Sequence, residues 1–329
     1  MRDTRRWVAL CGAALLAAAV MEASSCGGTS ARAGFGSSND AGDGGSGLKR
    51  GGDDGAVGHE TGTSDDSGGP PLTPSKDAGH DAAAPESVAF VYAESPDTLY
   101  QLDPTTNAIK AVGRFSGACA AQVDCADVID IALDKASNGY ASTGTSLYSF
   151  DVKTAVTKLI ASKGNYPNSL SFVPQGTLDP NAEALVGYQG STYVRIDTTT
   201  GVITNVGGLT GGYSSSGDIV SVIDGGTFLT VNGNGCGDCL LQVDPKTGDL
   251  IQNYGSVNHA DVYGLAFWAG AAYGFDSAGQ VFSITFPAGK LVTQNIPVPG
   301  APKGLVFYGA GSTTSAPPTA PDGGGIPIK

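Results

Sequence analysis

Asp127 and Asp130, then Asp218, then His259 and Asp261 are the side chains of this 329-residue sequence best suited to holding a cation or a small polar ligand. Carboxylate oxygens are hard donors matched to Ca²⁺, and a few convergent polar groups are what fix a small molecule in a cleft. Asn168 and Ser169 add an amide and a hydroxyl to the same set. Asp127 stands three residues before Asp130, and Asp261 stands three before Gly264, so the two occupy matching slots. These residues lie far apart in the chain. Only a fold that returns repeatedly to one place can collect them.

A repeat supplies that return. Leu99–Asp103 (Leu-Tyr-Gln-Leu-Asp), Leu147–Asp151, Tyr193–Asp197, Leu240–Asp244 and Val281–Thr285 are five versions of one phrase, whose last residues are 48, 46, 47 and 41 positions apart. Within each, apolar residues alternate with a polar one, as in Tyr148-Ser149-Phe150, which is the period of a half-buried strand. A strand-built period in the forties marks a radial array of small sheets. The fold class expected is all-β, a five-bladed β-propeller over residues 87–310. In the second unit the strands fall at 129–133, 139–143, 147–150 and 156–160. Turns such as Asp244-Pro245-Lys246-Thr247-Gly248 follow each third strand. There Asp caps the turn, Pro presets φ and Gly supplies a positive φ. The repeated aspartates therefore read as turn caps, not as a ring of metal ligands.

The first unit has only three strands, and Gly304-Leu305-Val306-Phe307-Tyr308 matches Gly264-Leu265-Ala266-Phe267-Trp268. A closing strand at 304–308 is expected to complete the first sheet, with a flexible tail over 311–329. The candidate ligand residues then fall at the starts of innermost strands, facing one channel mouth. The longer loops between blades share that face. The chain ends should emerge on the opposite, tight-turn face.

Residues 1–25 carry Arg2, Arg5 and Arg6 before an apolar run from Trp7 to Met21, the pattern of an export signal. Ala23-Ser24-Ser25-Cys26-Gly27 resembles the lipobox of bacterial lipoproteins. That resemblance implies acylation of Cys26, and Gly27 after it implies the outer membrane. Residues 26–86 are Gly-, Ser- and Asp-rich and read as a disordered linker with an r.m.s. span of about 40–45 Å. For an exported protein, Cys119 with Cys125 and Cys236 with Cys239 are expected as two local disulfides. The net charge is −13 with scattered Lys and Arg, so no basic stripe for nucleic acid is present. The lipid anchor would be the only membrane contact, and a monomer is expected.

On its strand–Asp–x–x–Thr–Gly–strand signature, the chain resembles the quinoprotein-like and surface-layer-type propeller repeats, which implies fold rather than chemistry. Five-bladed propellers include glycosidases, which need two carboxylates. The domain's only glutamates are Glu94, which follows a second strand, and Glu183, which precedes one. His59 and His80 lie in the linker, leaving His259 alone for acid–base work. The expected function is therefore non-enzymatic: the loop face binds an envelope or extracellular protein or glycan. A glycosidase- or lactonase-like hydrolase at the channel mouth is the alternative. No cofactor is expected, with Ca²⁺ as the one candidate ion.

Overall fold

A computed structural model describes residues 91–118 and 127–318. The signal at 1–25, Cys26, the linker at 26–86, Cys119, Cys125 and the last tail residues lie outside the described residues. The described chain forms five small antiparallel sheets in a ring, a five-bladed β-propeller. From the axis outward the first blade is Gly309–Gly311, Val91–Ser95, Thr98–Leu102 and Ile109–Arg114. The second is Asp130–Leu133, Gly139–Ser142, Ser146–Phe150 and Val156–Ser162, with Ser116–Gly117 added in parallel at its outer edge. Leu170–Val173, Tyr213–Val222 and Val262–Trp268 are the innermost strands of the other three.

Five apolar clusters sit between the five sheets, one at each junction. Phe228, Phe267, Phe282 and Phe286 fill the junction of the fourth and fifth blades. Tyr148, Phe150 and Phe115 fill that of the first and second. Each fully buried side chain of this size contributes about 1.5–3 kcal/mol. The alternation read in the repeated phrase is the source of these clusters: Tyr148 and Phe150 are buried while Ser149 between them is not.

The repeated aspartates are turn caps. Asp151 accepts the N–H groups of Lys153 at 2.7 Å and Thr154 at 3.0 Å, and Asp103 and Asp197 accept from their own turns alike. The turn ends at positive φ in Gly201, Gly248, Asn107 and, less usually, Ala155. These N–H groups favour the charged carboxylate and hold Asp151 below its usual pKa. Because the caps are exposed, Asp151→Ala should lower the thermal midpoint by only about 2–4 °C. Scanning fluorimetry checks this, and a larger drop would mean the residue does more than close its turn.

Closure differs in register from the sequence expectation. The closing strand is Gly309–Gly311, and residues 304–308 form the connection that precedes it. Leu305 and Phe307 are buried between the fifth and first blades, so their alternation serves a packed connector rather than a strand. Small residues close the ring because the inner strands crowd at the axis. A Cβ on Gly264 would stand 2.7 Å from the Ala310 Cβ.

The chain beyond Gly311 is also seated, where a flexible tail was expected. Phe267 donates its N–H to Ser312 Oγ, and Ile223 and Ala269 donate theirs to the carbonyls of Thr314 and Pro317. Thr314 Oγ1 donates to Glu183, and Ser315 Oγ donates to the Lys135 carbonyl. Residues 312–317 thus touch the second through fifth blades at the far ends of their inner strands.

Candidate functional site

The inner strands enter the channel in matching register. Ile129, Asn168, Gly217, Tyr263 and Tyr308, one from each blade, line an opening of about 240 Å³. Tyr263 and Tyr308 meet edge to face, with centroids 6.2 Å apart and planes at 70°. Burial, and then the neighbouring Asp261 carboxylate, raise the pKa of Tyr263 and keep its hydroxyl neutral.

One residue deeper, the same five strands present Asp130, Ser169, Asp218, Gly264 and Gly309, all buried. Asp130 accepts its neighbour Ile131 N–H at 2.8 Å and, from the next blade, the N–H of Leu170. Asp218 repeats the device, taking Ile219 N–H at 2.6 Å and Leu265 N–H at 2.7 Å. Ser171 Oγ accepts Ser221 N–H between the third and fourth blades. Side-chain acceptors therefore tie neighbouring inner strands, which sheet hydrogen bonds cannot do across a blade junction.

Between the first and second blades stands Glu94, absent from the sequence-derived site. It lies within a second strand and pairs with Gly309. Because Gly309 has no side chain, the Glu94 carboxyl reaches past the closing strand: its Oε1 and the Asp130 Oδ1 crowd the space that a Gly309 Cβ would fill. The misplaced closing strand hid this pairing from sequence reasoning. A glycine opposite Glu94 was the available signal. Glu94 is fully buried, and neither carboxyl oxygen has a hydrogen-bond partner.

Burial pushes Glu94, Asp130 and Asp218 all well above the usual carboxylate range. The charge of Asp218 adds to this for Glu94, and those of Asp218 and Glu94 add to it for Asp130. N–H groups of Leu265, Ile219 and Ala310 oppose the rise at Asp218. Asp130 and Asp218 also act directly on each other. No cation is among the groups acting on the three.

The remaining predicted residues lie elsewhere. Asp127 is exposed. His259 stacks on Phe282 with centroids 3.7 Å apart, and its Nδ1 stands 3.1 Å from Asp276 Oδ2. It shares with Asp261, Asp276 and Ser277 an open polar depression of about 500 Å³, separate from the mouth. Cys236 and Cys239 form a disulfide. Their loop presents Asp238, which accepts Ser216 Oγ–H at 2.7 Å and Asp261 N–H at 2.8 Å. Among the described residues, no group of three or more His, Cys, Asp or Glu side chains stands ready around one point as a metal cage.

No family model matches the chain, and no curated protein matches it. Solved structures are similar to it in shape. One is a gluconolactonase from Xanthomonas campestris, with 13% identity and a TM-score of 0.39 over 52% of this chain. The match spans 62% of that chain, less than two thirds of its length.

Proposed function

We propose that the protein is a cell-envelope binding module, tethered through Cys26, whose channel mouth seats one small polar unit of an envelope or extracellular partner, a sugar ring of a glycan by preference. The mouth carries this reading. Five blades each contribute one residue to it, two of them tyrosines whose rings offer apolar faces beside hydroxyls, with the Asn168 amide alongside. Aromatic faces with a few placed polar groups suit the apolar and hydroxylated sides of a sugar. Its volume is below the ~300–1,000 Å³ of drug-sized sites, so it takes one ring rather than a chain.

The same lining argues against a hydrolase. A glycosidase needs two carboxyls in contact with the scissile bond. The residues lining the mouth include none, Asp261 stands alone at the rim beside Tyr263, and the three carboxyls below are buried. The tether also favours the binding reading. Val91 pairs with Leu102 beside the Asp103 turn, and Gly311 pairs with Tyr92, so the described chain enters and leaves at the tight-turn face. A tether through Cys26 would then leave the mouth facing away from the membrane.

A glycan array tests this directly. Tyr263→Ala and Tyr308→Ala should each weaken retained glycan binding by about tenfold or more, with unfolding midpoints little changed. Binding unaffected by both substitutions would remove the mouth from the mechanism. Release of free sugar from a bound glycan would instead favour the hydrolase.

A further inference from the structure

We propose that a divalent cation, Ca²⁺ by preference, binds beneath the mouth between Glu94, Asp130 and Asp218. The proposal stands independently of what the mouth binds.

Glu94 is the observation that points to a ligand. Asp130, Asp218, Asp238 and Asp276 are also buried, yet each accepts at least one N–H or O–H. Glu94 accepts none on either oxygen, and no cationic side chain is among the described groups acting on it. Buried polar atoms in native folds nearly always have a partner, so two orphaned oxygens on one carboxyl call for a ligand. Its Oε1 converges with Asp130 Oδ1 on the space that Gly309 leaves open. Asp218 is the further carboxyl acting on Asp130. An N–H uses only one lone pair of each Asp oxygen, so all three carboxyls retain acceptor capacity.

The donor set selects the ion. It is oxygen throughout, with no His or Cys, which suits a hard cation over zinc. Mg²⁺ demands near-ideal octahedral geometry, whereas Ca²⁺ accepts irregular sets of six to eight oxygens. Glu94 and Asp130 already converge, but Asp218 must turn to complete the set, since no finished three-ligand cage exists among the described residues. Partial preorganisation implies weak affinity, about 10⁻⁴–10⁻³ M, the range of extracellular calcium modules.

Native mass spectrometry of the full chain and terbium luminescence sensitised by the mouth tyrosines test the site. One Ca²⁺ per chain should bind at millimolar concentration, displace terbium and raise the thermal midpoint saturably. Glu94→Gln, which fills the same volume, and Asp130→Asn should each lower ion affinity more than about tenfold, while Asp261→Asn at the rim leaves it unchanged. The wild-type stoichiometry holds the proposal to account even if one variant misfolds. No bound ion at millimolar Ca²⁺ would overturn it, leaving protons or water to neutralise the cluster. So would an ion that survives both core substitutions. Tyr308→Ala should keep the ion, so loss of glycan binding and loss of cation binding are separate failures.

Discussion

With cations chelated, Glu94→Gln raises the thermal midpoint at pH 8 by about 5–10 °C over the wild type, and the gap shrinks to little or nothing near pH 4. A carboxyl whose pKa is raised by folding contributes its full stability below the unfolded value and loses it as pH rises through the folded value. Burial raises Glu94, Asp130 and Asp218 together. The chelated wild type should therefore lose stability from about pH 4 upward. Glutamine cannot ionise, its amide can donate to Asp130 Oδ1, and it removes one of the charges that raises Asp130. Relief of an unpaired buried carboxylate is worth about 2–3 kcal/mol, and a domain of this size shifts by about 2–4 °C per kcal/mol. Saturating Ca²⁺ should reverse the order, leaving the wild type the more stable. Scanning fluorimetry across pH, with and without chelator, reads all three results. A glutamine variant less stable than chelated wild type at pH 8 would mean that Glu94 has a partner supplied by the protein itself.

Much of this architecture is legible in the sequence, because a strand that buries one face against a neighbouring blade must alternate, and five blades must alternate five times. Turn chemistry is equally local: Asp103, Asp151, Asp197 and Asp244 each sit within a few residues of the N–H groups they accept. What was hidden is long-range. Leu305 and Phe307 alternate as a strand would, yet the pleat belongs to Gly309–Gly311, where only small residues fit near the axis. That shift concealed the pairing of Glu94 with Gly309, and with it the buried cluster. Asp130 and Asp218 were legible as inner-strand residues, because their slots repeat. His259 precedes an innermost strand in sequence, but stacking on Phe282 and the contact with Asp276 hold it against the second and third strands of its own blade. The seat of residues 312–317 had no local signal, since its partners come from four different blades.

The closing strand is where the largest loss of stability should follow from the smallest change. Gly309→Ala places a methyl group 2.9 Å from the Asp130 Cα and against Glu94 Oε1 and Asp130 Oδ1. Gly264→Ala drives one to within 2.8 Å of Ala310 N and the Gly309 carbonyl carbon on the other side of the same strand. Backbone atoms are met in both cases, so side-chain rotation cannot relieve the clash. Overpacking of this kind costs about 1–3 kcal/mol and here acts on a strand of only three residues. Release of that strand also frees the Val91–Ser95 edge and the seat of residues 312–317, so each substitution should lower the thermal midpoint by about 6–12 °C. Hydrogen exchange should rise first at residues 91–95 and 309–317, ahead of the outer strands. Gly237→Ala, with nothing within 4 Å of its added methyl, is the matched control and should stay within about 0.5 kcal/mol of wild type. Adding Glu94→Ala to Gly309→Ala should restore part of the loss, because one of the two crowding carboxyls is gone while the Asp130 backbone remains. If the double variant is no more stable than Gly309→Ala, the glycine is needed for the approach of the strands alone and not for the room it gives Glu94.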